Sequence, residues 1–147
     1  MYRMTVILIL FFALSVTCKA PNIKWQYIVS GEKIMPYESL FKAISFIESS
    51  NNPLAIGDLH LEDNSYGIVQ IRQSRLDDYF RQTGIRYSVT DMFDPMKAKE
   101  VFMFYASKYQ PSDIESISSS WNGGPNWREK KSTIEYFLKV KSKIATL

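Results

Sequence analysis

Apolar residues are distributed along this 147-residue chain in two ways. Near the N-terminus they are continuous, from Val6 through Leu8, Phe11 and Phe12 to Leu14. Beyond residue 36 they recur at three- and four-residue intervals, the spacing of one face of an α-helix. Pro36 opens a helical stretch to about Ser50, with Leu40, Phe41, Ala43, Ile44 and Ile47 on its apolar face, and Asn51-Asn52-Pro53 stops it. A second helix is predicted from about Ser74, with Leu76, Tyr79 and Phe80 together and Gly84 past its end. Asp94-Pro95, an N-cap followed by proline, starts a third, striped by Val101, Phe102, Tyr105, Ala106 and Tyr109. Ser112 and Glu115 read as the capping box of a fourth, carrying Ile114, Ile117 and Trp121 and broken at Asn122-Gly123-Gly124-Pro125. Ser132 and Glu135 read as another capping box, opening a last helix with Tyr136, Phe137, Val140 and Ile144.

Residues 54–71 break this rhythm. Gly57-Asp58 and Asp63-Asn64 are turn signals flanked by short apolar pieces, which predicts a small β-hairpin or an irregular loop. The expected fold class is therefore mainly α: a single domain over residues 36–147 with one small non-helical wing, preceded by a lead-in over 21–35. The chain length suits one compact domain better than two.

The continuous apolar run over residues 5–16 follows Met1-Tyr2-Arg3-Met4 and is too short for a membrane span of about 20 residues. Residues 1–20 read as an export signal, with a retained anchor as the alternative. Cys18 is the only cysteine, so no internal disulfide can form. Its place at the end of the signal makes it a candidate lipidation site and membrane anchor, although Ser15 stands where a leucine is expected. The expected location is outside the cytoplasm, in the periplasm or cell envelope.

Charge removes several function classes. The formal net charge is +3, but residues 1–20 carry Arg3 and Lys19 and no acid, which leaves 16 basic and 15 acidic residues beyond them. No basic stripe remains to drive nucleic-acid binding. His60 is the only histidine, and it lacks partners at metal-ligand spacing. No metal or cofactor is expected, nor a serine or cysteine triad.

Glu48 is the odd residue of the first helix. It projects near Phe41 and Ile44, on the edge of the apolar face, and at the helix C-terminus, where the macrodipole disfavours another anion. Both effects raise a carboxyl pKa, and a carboxyl protonated near neutrality can donate to a leaving oxygen. Helix pattern alone does not separate this from a rim glutamate reaching out to water.

Three motifs alter that balance. Glu48-Ser49 with Asn52-Pro53-Leu54-Ala55, then Ser65-Tyr66-Gly67-Ile68-Val69-Gln70-Ile71, then Ser120-Trp121-Asn122-Gly123-Gly124-Pro125 occur in order, with Tyr136 after them. Together they resemble the lytic transglycosylase domain of the lysozyme superfamily over roughly residues 37–140. The resemblance implies a lysozyme-like fold and a peptidoglycan glycan strand as substrate. Glu48 would protonate the bond between N-acetylmuramic acid and N-acetylglucosamine, then act as base on the muramyl C6 hydroxyl as it closes a 1,6-anhydro ring. Ser49 would steady Glu48 or touch substrate. Gln70, with the tight backbone at Gly67, would line the cleft, and Asn122 would bind the sugar's acyl-amide region. Tyr136 would orient Glu48 and support its protonated state. Ser65 belongs with this substrate-binding set, and Tyr66 and Trp121 offer faces for pyranose stacking, although Trp121 shares the apolar stripe of Ile114 and Ile117.

The chain departs from the family pattern at Ile68-Val69, where Leu-Met is usual, and at Ser120, where alanine is usual. The segment after Glu48 is longer than in many members and carries Asp58, His60, Glu62 and Asp63. Simple hydrolysis needs a second carboxylate, so an acid from this wing would make the enzyme a muramidase. The other alternative is a non-catalytic peptidoglycan-binding assembly factor of the same fold. A monomer is expected, and a secretion or conjugation apparatus is a candidate partner.

Overall fold

The computed structural model describes residues 27–29, 32–34 and 37–147. The export signal, Cys18, Pro36 and much of the lead-in lie outside the described residues. Within the lead-in, β1 (Tyr27–Val29) and β2 (Glu32–Ile34) pair antiparallel as a two-stranded ribbon.

Helix α1 (Glu38–Ser49) buries Leu40, Phe41, Ala43 and Ile44, the face predicted from spacing. It ends at Ser50, which is left-handed with φ 54, and Asn51 follows at φ 65. The N–H groups of Ser50 and Asn51 bond the carbonyls of Phe46 and Ser45, satisfying the last turn. The chain then makes a three-stranded antiparallel sheet, β3 (Ile56–Gly57), β4 (Ser65–Tyr66) and β5 (Ile71–Arg72), in that order. Ile56 pairs with Tyr66, and Tyr66 with Ile71. This is the wing expected over residues 54–71, one strand richer than a hairpin.

Helix α2 (Gln73–Thr83) closes on Gly84 in the left-handed region. Its N-terminus is anchored from a distance: the Asp63 carboxylate accepts from the Gln73 N–H at 3.1 Å and the Ser74 hydroxyl at 2.7 Å. A 3-10 turn at Val89–Phe93, absent from the sequence reading, follows; Ser88 and Asp91 form its capping box and Met92 is its buried residue. Helix α3 (Pro95–Ala106) starts as predicted, with the Asp94 side chain accepting from the Met96 N–H.

The two later caps differ from expectation. Helix α4 (Ile114–Gly123) is capped by Asp113, whose carboxylate accepts from the Ser116 N–H, rather than by Ser112. In helix α5 (Ser132–Ile144) Ser132 is already helical and Lys131 precedes it with no side-chain cap, so no capping box forms there. A short 3-10 turn, Trp127–Glu129, links the two helices.

Helix α5 packs on α4 and α1, and these three enclose one core with the inner residues of the wing, α2 and α3. Phe102 is fully buried at its centre, with ring centroids 5.4 Å from Phe41 and 5.1 Å from Trp121. The mainly helical class with a small β wing is thus what the chain adopts. No helix of the described residues is long and apolar enough to cross a membrane.

Candidate active site

Glu48 is the last-but-one residue of α1, half-buried, and faces α5. The Tyr136 hydroxyl donates to its Oε1 at 2.5 Å, a contact 88 residues apart in sequence. Burial of the carboxyl raises its pKa above the ordinary glutamate value, and Asp58 adds to this. The Tyr136 bond and the Arg75 and Arg72 charges oppose the rise without cancelling it. The Tyr136 hydroxyl is itself pushed well above the usual tyrosine range, by burial first and then by Glu48, so it stays a neutral donor. Tyr136 therefore holds Glu48 in place but favours its ionised form. The rise in the Glu48 pKa comes from desolvation, and the Tyr136 bond, expected to support the protonated form, works against it.

The chain around Glu48 is tied to the wing. Ser49 Oγ donates to the Ile68 carbonyl at 2.8 Å and to the Ser45 carbonyl at 3.1 Å, clamping the end of α1 against the β4–β5 turn. Ser65 is buried, and its hydroxyl donates to Gln70 Oε1 at 2.7 Å. Gln70 Nε2 donates to the carbonyls of Gly67, at 2.8 Å, and Ala55, at 3.3 Å. Ser49, Ser65 and Gln70 thus brace the wing through their side chains.

Gly67 serves packing as well. Its φ is +77, and a Cβ there would lie 1.9 Å from the Met92 carbonyl oxygen. The 3-10 turn occupies the space that the missing side chain leaves. Ser50, Asn51, Asp58 and Gln70 also have positive φ, and among the described residues no other non-glycine does. Asparagine and aspartate adopt it readily, but left-handed backbone costs a residue such as Gln70 about 1–2 kcal/mol, strain that the side-chain bonds of the wing hold in place.

Trp121 is core rather than platform: it is 6% exposed, and its indole N–H donates to the Val69 carbonyl at 3.2 Å. The Arg75 guanidinium covers one face at 4.1 Å from the ring centroid. Tyr66 is half-buried and packs edge-on to Phe93 at 6.0 Å. Asn122 is exposed on the last turn of α4.

The acids of the wing have other engagements. Asp58 pairs with Arg72 at 2.7 Å. Burial works against its charge, but the neighbouring Ser65 and Arg72 outweigh this and hold it below the usual aspartate range. Asp63 anchors α2, and Glu62 and His60 are exposed.

The transglycosylase SLT domain model matches residues 27–143. The chain belongs to that family. The match takes in the β1–β2 ribbon and everything through α5. It makes peptidoglycan the substrate class of the domain and lytic transglycosylases its general functional company. No curated protein matches the chain.

One residue of this SLT domain escaped the sequence reading. Arg75 of α2 lies over the rings of Trp121 and Tyr105 and donates to the Trp121 carbonyl at 2.7 Å. It is the largest cationic influence on Glu48, and it also acts on Tyr136. Its signal was its position: four before Tyr79 and next to Leu76, at the margin of the apolar stripe of α2 rather than on the open face. Arg75 also walls a cavity of about 550 Å³ among α2, α3 and α4 that does not include Glu48.

Proposed function

We propose that this SLT domain is a peptidoglycan lytic transglycosylase that cleaves the β-1,4 bond between N-acetylmuramic acid and N-acetylglucosamine. The observation carrying this reading is Glu48: a half-buried carboxyl of raised pKa, fixed by a neutral tyrosine at 2.5 Å. Protonated Glu48 gives its proton to the glycosidic oxygen as the bond from that oxygen to muramyl C1 breaks. The carboxylate so formed, welcomed by the Tyr136 hydroxyl and the Arg75 charge, takes the proton of the muramyl C6 hydroxyl. That oxygen closes on C1, giving a 1,6-anhydro ring with no water consumed. Asn122, exposed on the last turn of α4, offers an amide to an acyl-amide group of the sugar, and Tyr66 of the wing offers a ring.

A single-acid route is supported by what surrounds the wing carboxylates: Asp58 is neutralised by Arg72 and Asp63 is committed to α2. One observation favours a second reading, a muramidase: Asp58 is near enough to raise the Glu48 pKa and stays ionised. Mass analysis of chain ends from digested wall separates the two. Anhydro-muramyl ends that persist in Asp58→Asn support transglycosylation; reducing muramic acid ends that vanish in Asp58→Asn support hydrolysis. The reading also places the enzyme in the periplasm or cell envelope, on the strength of the N-terminal pattern. Mass determination of the mature N-terminus tests that placement and the Cys18 modification.

A further inference from the structure

Helix α5 is apolar on two sides, and one of them faces out. Thr133, Tyr136 and Val140 are its buried residues. At about 100° per residue, Ile134 and Leu138, two positions either side of Tyr136, point the opposite way. They are 58% and 56% exposed, and the Phe46 ring of α1 is 43% exposed beside them. An open groove lined by Phe46, Ile47 and Leu138 carries the apolar surface from one helix to the other.

The positive charge of the chain is gathered on the same element. Residues 127–147 hold six basic and two acidic residues, whereas residues 21–126 hold ten and thirteen. A nearly balanced chain is thus divided into a cationic end and an acidic remainder. Lys131, Ile134, Leu138 and Lys141 follow one another at three- and four-residue intervals, and all four are exposed. That spacing sets a lysine at each end of the apolar pair along one stripe. Lys139 is exposed beside the stripe, and Lys143 Nζ lies 3.6 Å from the centroid of the Phe46 ring. Among the described residues none of these four lysines forms an ion pair.

Apolar side chains framed by unpaired ammoniums suit a boundary between hydrocarbon and anions. The apolar pair enters the boundary while the lysines reach sideways to the charged layer. An anionic lipid surface meets all of the ammoniums at once, and a single outward helix can lie along it. An acidic peptide helix instead needs a groove to lie in, and the stripe of α5 is the side turned away from the core, with the groove to one flank of it.

We propose that the outer face of α5 seats this domain on an anionic lipid surface. Tyr136 bonds Glu48 from the opposite side of the helix, so the seated domain keeps its carboxyl away from the lipid. Nothing in this depends on the reaction at Glu48. The protein as isolated from the cell is mixed with vesicles of phosphatidylcholine, alone or with phosphatidylglycerol added. Flotation measures binding, and acetylation of lysines read by mass spectrometry maps the covered face. Vesicles containing phosphatidylglycerol should bind at least about tenfold more tightly than neutral ones, and labelling of Lys131, Lys139 and Lys141 should drop in their presence. Lys131→Gln, Lys139→Gln and Lys141→Gln together should weaken that binding about 100-fold, since each lysine near a charged surface contributes about fivefold. Ile134→Ser with Leu138→Ser should weaken it about tenfold through lost apolar contact. All five positions are exposed, and circular dichroism checks that both variants fold. Equal binding to the two kinds of vesicle, unchanged labelling of the three lysines, or a triple variant that binds like wild type overturns the proposal. Protection of the lysines by a soluble acidic amphipathic peptide but not by vesicles assigns the face to a protein partner and also overturns it. Protection that grows with protein concentration in the absence of vesicles, without vesicle binding, assigns it to a second copy with the same consequence.

Discussion

In the proposed reaction Glu48 is an acid before bond cleavage and a base after it, and its surroundings divide along those lines. Desolvation favours the protonated form; Tyr136 and Arg75 favour the anion. The balance gives a stability signature. The folded pKa lies above the unfolded one, so the native state binds more protons and stability falls as pH rises from the ordinary glutamate value of 4.5 through the raised one. Glu48→Gln should therefore melt higher than wild type at pH 7 and level with it near pH 3, by thermal denaturation at both; a lower melting point at pH 7 would mean that the ionised carboxylate is stabilising. Tyr136→Phe removes a donor to the anion, so the Glu48 pKa should climb and the alkaline limb of the rate profile move to higher pH, with a rate loss of about tenfold. An unmoved limb would separate Tyr136 from the proton chemistry. Glu48 was legible in the sequence because motifs surround it. The donating role of Tyr136 was not, since the direction of a bond spanning 88 residues is settled only by folding. Arg75 was invisible for a related reason: an arginine at the edge of a stripe is ordinary until an indole is found beneath it.

At the scale of elements, the wing rather than the helices holds the unusual backbone. Its backbone is strained at Gln70, and Ser49, Ser65 and Gln70 use their hydrogen bonds to hold it. Ser49, Ser65 and Gln70, which the motif presents in a substrate-binding set, bond within the wing and to the end of α1 in the folded chain. Gly67 is the strictest case, since it needs both a left-handed backbone and room for the Met92 carbonyl. Gly67→Ala should destabilise the domain by about 2 kcal/mol or more by urea denaturation, and a loss under about 0.5 kcal/mol would show that the 3-10 turn can shift aside. Helix faces were readable from spacing because burial follows period directly. Caps were less so: Asp113 and Asp63 took roles assigned to Ser112 or to nothing, because a cap is chosen by loop geometry, and Asp63 reaches its helix from ten residues away. The Val89–Phe93 turn had its own capping box, Ser88 with Asp91, but too short an apolar pattern to announce itself.

Over the whole molecule, four helices and a β wing converge on one carboxyl. Helix α1 supplies Glu48, α5 supplies Tyr136, α2 supplies Arg75, and the end of α4 sets Trp121 beneath that arginine and Asn122 on the surface. Sequence order scatters these residues across 89 positions, from Glu48 to Tyr136. The core around Phe102 is what brings them together. The fold class was readable because several independent helical stripes agreed, whereas the division of residues between scaffold and chemistry required the packed structure. The account stands on Glu48 acting as the sole acid and base, and muropeptide mass spectrometry of purified sacculi digested by wild type and Glu48→Gln tests this most directly. Wild type should release products ending in 1,6-anhydro-muramic acid, and Glu48→Gln should lose at least about 100-fold in rate while remaining folded by circular dichroism. Reducing muramic acid ends, or a Glu48→Gln variant that still lyses the wall at wild-type rate, would contradict it.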